Sequence, residues 1–294
     1  MPTYLERLAA RSAATGTVLC LGIDPDPEAL PEGFLPDLAG IEAFATLLLA
    51  AAGPYAAAVK PNLAFFEAFG SPGIAALERL RALIPGDLPV VLDAKRGDIG
   101  TTSARHAAAL YDGLGADAVT VSPYLGEEAI RPLLERTDRL AYVLCRTSNP
   151  GAGELQDLRV PATAADRSGT GAPEEPLWAR VARRVVSWGL GGTVGLVVGA
   201  TAPRELEAIR AITPGLPFLV PGVGAHGGEA DAVLAPGRAT AAPAGGRAGG
   251  GLLVNVSRGV SMATLGDPRS GPMDLGEQLA EATRGWAARL PVVG

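Results

Sequence analysis

Eight short apolar runs alternate with segments of helical period, and six of the runs end in polar or charged residues; together these predict an α/β fold, a single (β/α)8 TIM barrel over residues 1–294. A strand that returns through a helix to the same sheet makes a right-handed crossover and a parallel neighbour. Eight such units close into a barrel. An open doubly wound sheet is the alternative, but it calls for a glycine-rich nucleotide turn after the first strand. The chain has Gly22-Ile23-Asp24-Pro25 there.

The predicted strands are 17–23, 55–60, 88–95, 117–122, 140–146, 193–199, 217–221 and 251–256. Their continuous apolar character suits strands covered on both faces. Helical period appears at 41–52, 72–83, 101–114, 127–135, 174–188 and 203–212. Ser71-Pro72 reads as an N-cap followed by proline at the first helical position. Two segments break the rhythm. Residues 151–173 form a long loop rich in Gly, Ala, Thr and Ser, expected to contribute to a lid; residues 227–250 are richer still in Ala, Gly and Pro and are expected to be a mobile loop. No domain boundary or simple repeat is visible beyond the strand–helix alternation.

The bulk numbers fit this picture. With 48% hydrophobic and 19% charged residues the chain can fill a large core, and 5% aromatics points to small-residue helices packed closely on the sheet. Cys20 and Cys145 lie within apolar runs and are expected to be buried free thiols. A net charge of −6 argues against a general nucleic-acid binder, yet a small anionic substrate needs only one or two well-placed cations. The start of the chain has no apolar signal region, and no uninterrupted apolar stretch of membrane-spanning length stands out, so a soluble, cytoplasmic protein is expected.

Function in a barrel collects at the C-terminal ends of the strands. Asp24 follows the first strand, Lys60 ends the second, and Asp93-Ala94-Lys95 ends the third, followed by Arg96-Gly97-Asp98. Alternation places Val91, Asp93 and Lys95 on one face. A structural ion pair at the rim would explain Asp93 and Lys95 alone. Asp98, Asp24 and Lys60 extend the set to two lysines and three aspartates, in which each charge holds its neighbours ionised. A protonated lysine beside a reacting carbon is a proton donor. The tips of strands seven and eight have another character. Pro221-Gly222-Val223-Gly224-Ala225-His226-Gly227-Gly228 lets backbone N–H groups approach a ligand, and Arg258 follows the last strand, where barrels commonly bind phosphate.

Leu92-Asp93-Ala94-Lys95-Arg96-Gly97-Asp98 closely resembles the Asp-x-Lys-x-x-Asp signature of orotidine 5′-monophosphate decarboxylases, in the form seen in the longer bacterial branch. Leu21-Gly22-Ile23-Asp24-Pro25, Val59-Lys60-Pro61-Asn62, Thr147-Ser148-Asn149-Pro150-Gly151, Pro221-Gly222-Val223-Gly224-Ala225 and Ser257-Arg258-Gly259 match further family blocks in the family's order. The resemblance implies decarboxylation of orotidine 5′-monophosphate to uridine 5′-monophosphate, the last step of de novo pyrimidine synthesis, without metal or organic cofactor. It implies that Lys95 protonates C6 and Asp93 presses on the substrate carboxylate. Lys60 would complete the charged array, and Asp24 would bind a ribose hydroxyl. Asp98 and Thr102 would reach into the neighbouring site of a homodimer. Ser148 would hydrogen-bond the pyrimidine, Pro221 would line the base pocket, and Arg258 would bind the 5′-phosphate. The family usually has Gln where this chain has His226, which is expected to contact the phosphate in its place. His106 is expected to be a packing or surface residue. Nothing implies a nucleic-acid polymer or a membrane as partner. A Mg²⁺-dependent barrel decarboxylase or synthase acting on sugar phosphates shares Asp-x-Lys-x-x-Asp, but is not expected to carry Ser148-Asn149-Pro150-Gly151 together with Lys60-Pro61-Asn62. A non-catalytic nucleotide-binding barrel is the rival of another class.

Overall fold

The computed structural model describes residues 2–161, 174–224, 227–263 and 274–293. The eight expected strands are β1 Leu19–Ile23, β2 Ala58–Pro61, β3 Val91–Arg96, β4 Ala118–Val121, β5 Leu140–Arg146, β6 Val194–Val198, β7 Phe218–Pro221 and β8 Leu253–Val256. All their pairings are parallel, in the order β2-β1-β8-β7-β6-β5-β4-β3. Parallel bridges Val59–Val90 and Asn62–Asp93 join the two ends of that order, so the sheet closes on itself and the open-sheet alternative falls away.

Alternation divides each strand between two cores. Val59, Leu92, Val119, Leu196, Val254 and Val256 face the surrounding helices. Cys20, Ala58, Val91, Ala118, Leu140, Tyr142, Val197, Leu219 and Leu253 fill the lumen. The lumen is plugged at its N-terminal end by the helix Tyr4–Thr15, whose amphipathic face carries Tyr4, Leu5 and Leu8 into this inner core. Thr3 and Glu6 form a capping box that fixes its start. The Tyr4 and Tyr142 hydroxyls meet at 3.0 Å, with their rings edge-to-face. Full burial of Leu5 and Leu8 contributes roughly 1.5–3 kcal/mol each. A plugged floor leaves the opposite, polar end as the open mouth.

Several elements differ from expectation. The helix Gly70–Leu83 has Phe69 rather than Ser71 at its N-cap, and Pro72 sits in its first turn, where no intrahelical bond is lost. The segment 101–114 divides into an α-helix Gly100–Ala107 and a π-helical turn Ala108–Gly113. The helix expected at 127–135 contracts to Arg131–Leu134. Glu174–Pro176 is not helical; it pairs antiparallel with Arg159–Pro161, and the helix runs Leu177–Trp188. The segment 227–250 is not simply a loop. It contains the helix Ala230–Gly237, which follows β7 as a barrel helix should. Its Ala, Gly and Pro content hid the period, and Pro236 near its end marks where it stops.

Arg210 ties this helix to the preceding one. Its buried guanidinium donates to the carbonyls of Thr213, Leu216, Pro236 and Gly237 and lies 3.6 Å over the Phe218 ring. Leu38–Tyr55 is long and apolar enough, by composition, to cross a membrane. Here its Ile41, Phe44, Ala45 and Leu48 pack into the core outside the barrel. Cys20 and Cys145 are buried and free, as expected, and burial pushes both thiols up to about 12.

Candidate active site

β3 carries the centre of the site to the mouth. Asp93 Oδ2 accepts from Lys60 Nζ at 2.9 Å, and Asp93 Oδ1 accepts from Lys95 Nζ at 2.5 Å. Asp24 Oδ1 lies 3.9 Å from Lys60 Nζ. Thus Asp24, Lys60, Asp93 and Lys95, read from four positions along the chain, converge on one array.

The array is graded in exposure. The Lys60 side chain is 4% exposed, Asp93 13% and Lys95 51%. Burial opposes charge on both inner groups. For Asp93 that penalty is outweighed by Lys60 and then Lys95, which hold its carboxyl well below the usual carboxylate range. For Lys60, burial is outweighed by Asp93 and then Asp24, which hold the ammonium's pKa above the ordinary lysine value. Lys60 and Asp93 are therefore both ionised at neutral pH.

Lys95 has φ 49°, the only non-glycine residue with positive φ among those described. The β3–β4 register shifts between Leu92 and Arg96, across this residue. A left-handed lysine costs roughly 1–3 kcal/mol and persists only where its surroundings fix it. Thr120 on β4 supplies that fixing: its Oγ1 accepts from the backbone N–H of Ala94 and of Lys95, each at 3.0 Å, and donates to Asp93 Oδ1 at 2.8 Å. Sequence reasoning missed Thr120. Its position two residues before Ser122, on the inner face of an otherwise apolar strand, was the available signal.

Asp98 and Thr102 do not join this cluster within one chain. Asp98 Oδ1 accepts from the Ile99 N–H at 2.7 Å, and its own N–H donates to Ser103 Oγ at 3.1 Å. Thr102 sits half-buried on the helix Gly100–Ala107. Exposed apolar Ile99, Tyr124 and Leu125 lie on the neighbouring loops after β3 and β4.

Ser148 lies just past β5, pressed against β6: a Cβ on Gly199 would come 2.6 Å from the Ser148 nitrogen. The loop after β5 is tied back by Gln156, which accepts from the Thr147 N–H at 2.9 Å, and by the Arg146–Asp157 ion pair. Pro221 closes β7, half-buried. Arg258 begins the short helix Arg258–Ser261 after β8 and is exposed. Trp286, from the helix Leu275–Arg289, underlies both loops. It donates to the Gly259 carbonyl at 2.9 Å, and a Cβ on Gly224 or Gly259 would lie 3.0 Å from its ring. This support was not anticipated. His226 and residues 162–173 of the expected lid lie outside the described residues. Half-buried His106 lines a cavity of about 620 Å³ between helices with Glu67 and Arg96, away from the array. Among the described residues, no group of three His, Cys, Asp or Glu side chains is placed to hold a metal ion.

What this geometry can do is place a fixed negative charge between two ammonium groups, one buried and one facing the mouth. Residues 17–270 match the Orotidine 5′-phosphate decarboxylase / HUMPS family. The chain is 43% identical over 290 residues to an orotidine 5′-phosphate decarboxylase of Thermomicrobium roseum, covering 98% of this chain and 93% of the relative. It is 45% identical over 273 residues to one from Halorubrum lacusprofundi, covering 92% and 91%. Among solved structures, OMP decarboxylase from Leishmania donovani superposes with a TM-score of 0.77 at 36% identity, covering 97% of this chain and 96% of that one.

Proposed function

The chain belongs to the orotidine 5′-phosphate decarboxylase family, and from that membership we propose that it converts orotidine 5′-monophosphate to uridine 5′-monophosphate and CO₂, the closing step of pyrimidine nucleotide synthesis. The observation that carries the mechanism is Asp93, ionised between Lys60 and Lys95. A substrate carboxylate seated against Asp93 is repelled by it, and the repulsion disappears as CO₂ leaves. The C6–carboxyl bond breaks with its electron pair left on C6. The Lys95 ammonium stabilises that charge as it forms and passes a proton to C6; the resulting amine is reprotonated from solvent. Charges fixed by folding favour the transition state over the ground state without reorganising during the reaction. Thr120 keeps Asp93 and the Lys95 backbone in place.

The remaining assignments follow the same reading. Lys60 and Asp24 take the ribose hydroxyls, Ser148 the pyrimidine, Pro221 the base pocket, and Arg258 with His226 the 5′-phosphate. Asp98 and Thr102 complete the site of a second subunit. Their separation from the array within one chain, beside exposed Ile99, Tyr124 and Leu125, supports a homodimer with shared sites. No metal or organic cofactor takes part.

Loss of orotidine 5′-monophosphate absorbance, followed with and without excess chelator, tests the proposal. Equal rates in both conditions are expected. Absence of turnover would remove the reading. Turnover abolished by chelator would transfer the site to a Mg²⁺-dependent chemistry.

A further inference from the structure

The wall between β1 and β8 holds polar atoms that the mechanism above does not use. On β8, Val254 and Val256 face the outer core and Leu253 the lumen, so alternation turns Asn255 into the lumen as well. Asn255 is 7% exposed and sits in register between Cys20 of β1 and Pro221 of β7. Its Oδ1 is buried without a hydrogen-bond partner among the described residues, and so are Ser257 Oγ and Asp24 Oδ1. Gly22 makes room for this group: a Cβ there would lie 2.6 Å from Ser257 Cβ and 3.1 Å from Asn255 Oδ1. A buried amide oxygen without a donor works against the stability of the empty barrel. A leucine would fill the same space without that cost.

The position gives the amide a use. Asp24 and Lys60, assigned to the ribose, stand at the ends of β1 and β2; Arg258, assigned to the phosphate, follows β8. A ribosyl phosphate that joins these ends must cross the β1–β8 seam, directly over Gly22, Asn255 and Ser257. We propose that Asn255 and Ser257 form a hydrogen-bonding floor for the ribosyl phosphate of the substrate, with Asn255 Oδ1 accepting from a ribose hydroxyl and the Ser257 hydroxyl donating to a phosphate oxygen. This rests on the decarboxylase reading. Both residues are binding and positioning groups, distant from the proton transfer, and Gly22 is the residue whose missing side chain admits them.

The test compares wild type with Asn255→Leu and Ser257→Ala. It measures kcat and KM for orotidine 5′-monophosphate, the Kd of uridine 5′-monophosphate, and the melting temperature without ligand. Asn255→Leu is expected to raise KM and Kd at least about tenfold, to change kcat by less than about threefold, and to melt at or above the wild-type temperature. Ser257→Ala is expected to raise Kd at least about threefold, and it answers the question if the leucine variant does not fold. Wild-type KM and Kd in either folded variant overturns the floor, whether or not the melting temperature falls. If wild type itself neither turns over orotidine 5′-monophosphate nor binds the product, the decarboxylase reading has failed instead.

Discussion

Asp93 holds two lysines at once, Lys60 through Oδ2 at 2.9 Å and Lys95 through Oδ1 at 2.5 Å. The pairs are unequal because Lys60 is almost wholly buried and Lys95 is half exposed. Without the Asp93 charge, Lys60 keeps only Asp24, at 3.9 Å.

Asp93→Asn is therefore expected to lower stability by roughly 3 kcal/mol, the scale of stranding a buried charge, along with activity. The pH dependence carries the sign. Asp93 has a folded pKa below its unfolded value of about 3.9, so its stabilisation is complete above that value and is lost as pH falls through the folded pKa. Lys60 has a raised pKa, so its contribution is complete below about 10.4 and is lost as pH rises through the higher folded value. Urea unfolding between about pH 5 and pH 2 should show a shallower acid loss in Asp93→Asn than in wild type. Equal acid slopes would remove Asp93 from that titration.

Sharing of sites between subunits can be read by complementation. Lys95→Ala and Asp98→Ala should each be inactive alone. Unfolded together and refolded as an equal mixture, half of the dimers are mixed and each mixed dimer has one complete site, so about a quarter of wild-type activity should return. No recovery would place Asp98 in the site of its own chain.

Arg210 is expected to matter for the fold and not for the chemistry. Arg210→Met leaves four carbonyls without their donor and removes the cation over Phe218. A loss of about 3 kcal/mol or more in denaturant melts follows, with kcat unchanged in the folded fraction. Arg210→Lys should restore only part of it, because one ammonium cannot reproduce the planar fork. A loss under about 1 kcal/mol would mean the carbonyls find other donors.

The barrel and its charged mouth were legible in the sequence because both follow from short-range patterns. Apolar runs of strand length gave all eight strands, and period two put Asp93 on the face of Val91, where it lies. What escaped depends on contacts distant in sequence or on conformations that composition does not mark. The helix Ala230–Gly237 buries Ala230, Val233 and Gly237 at helical spacing, but residues this small leave little apolar contrast in the sequence. Thr120 reads as an ordinary strand residue until β3 is laid beside β4. Tyr4 becomes a lumen plug only when Tyr142 is brought to meet it. The left-handed backbone of Lys95 has no signature, since β-propensity does not distinguish it. The resemblance sends Asp98 and Thr102 to the site of a neighbouring subunit, and a single chain, in which Asp98 bonds to Ile99 and Ser103, does not test that assignment.

In the proposed mechanism Lys95 delivers the proton to C6. The direct measurement is single-turnover decarboxylation by Lys95→Ala, alongside titration with uridine 5′-monophosphate. The expected rate is at least about 10⁴-fold below wild type, since both the proton and the stabilising charge are lost, with product affinity within about threefold. Substantial residual decarboxylation by a variant that still binds product would contradict it.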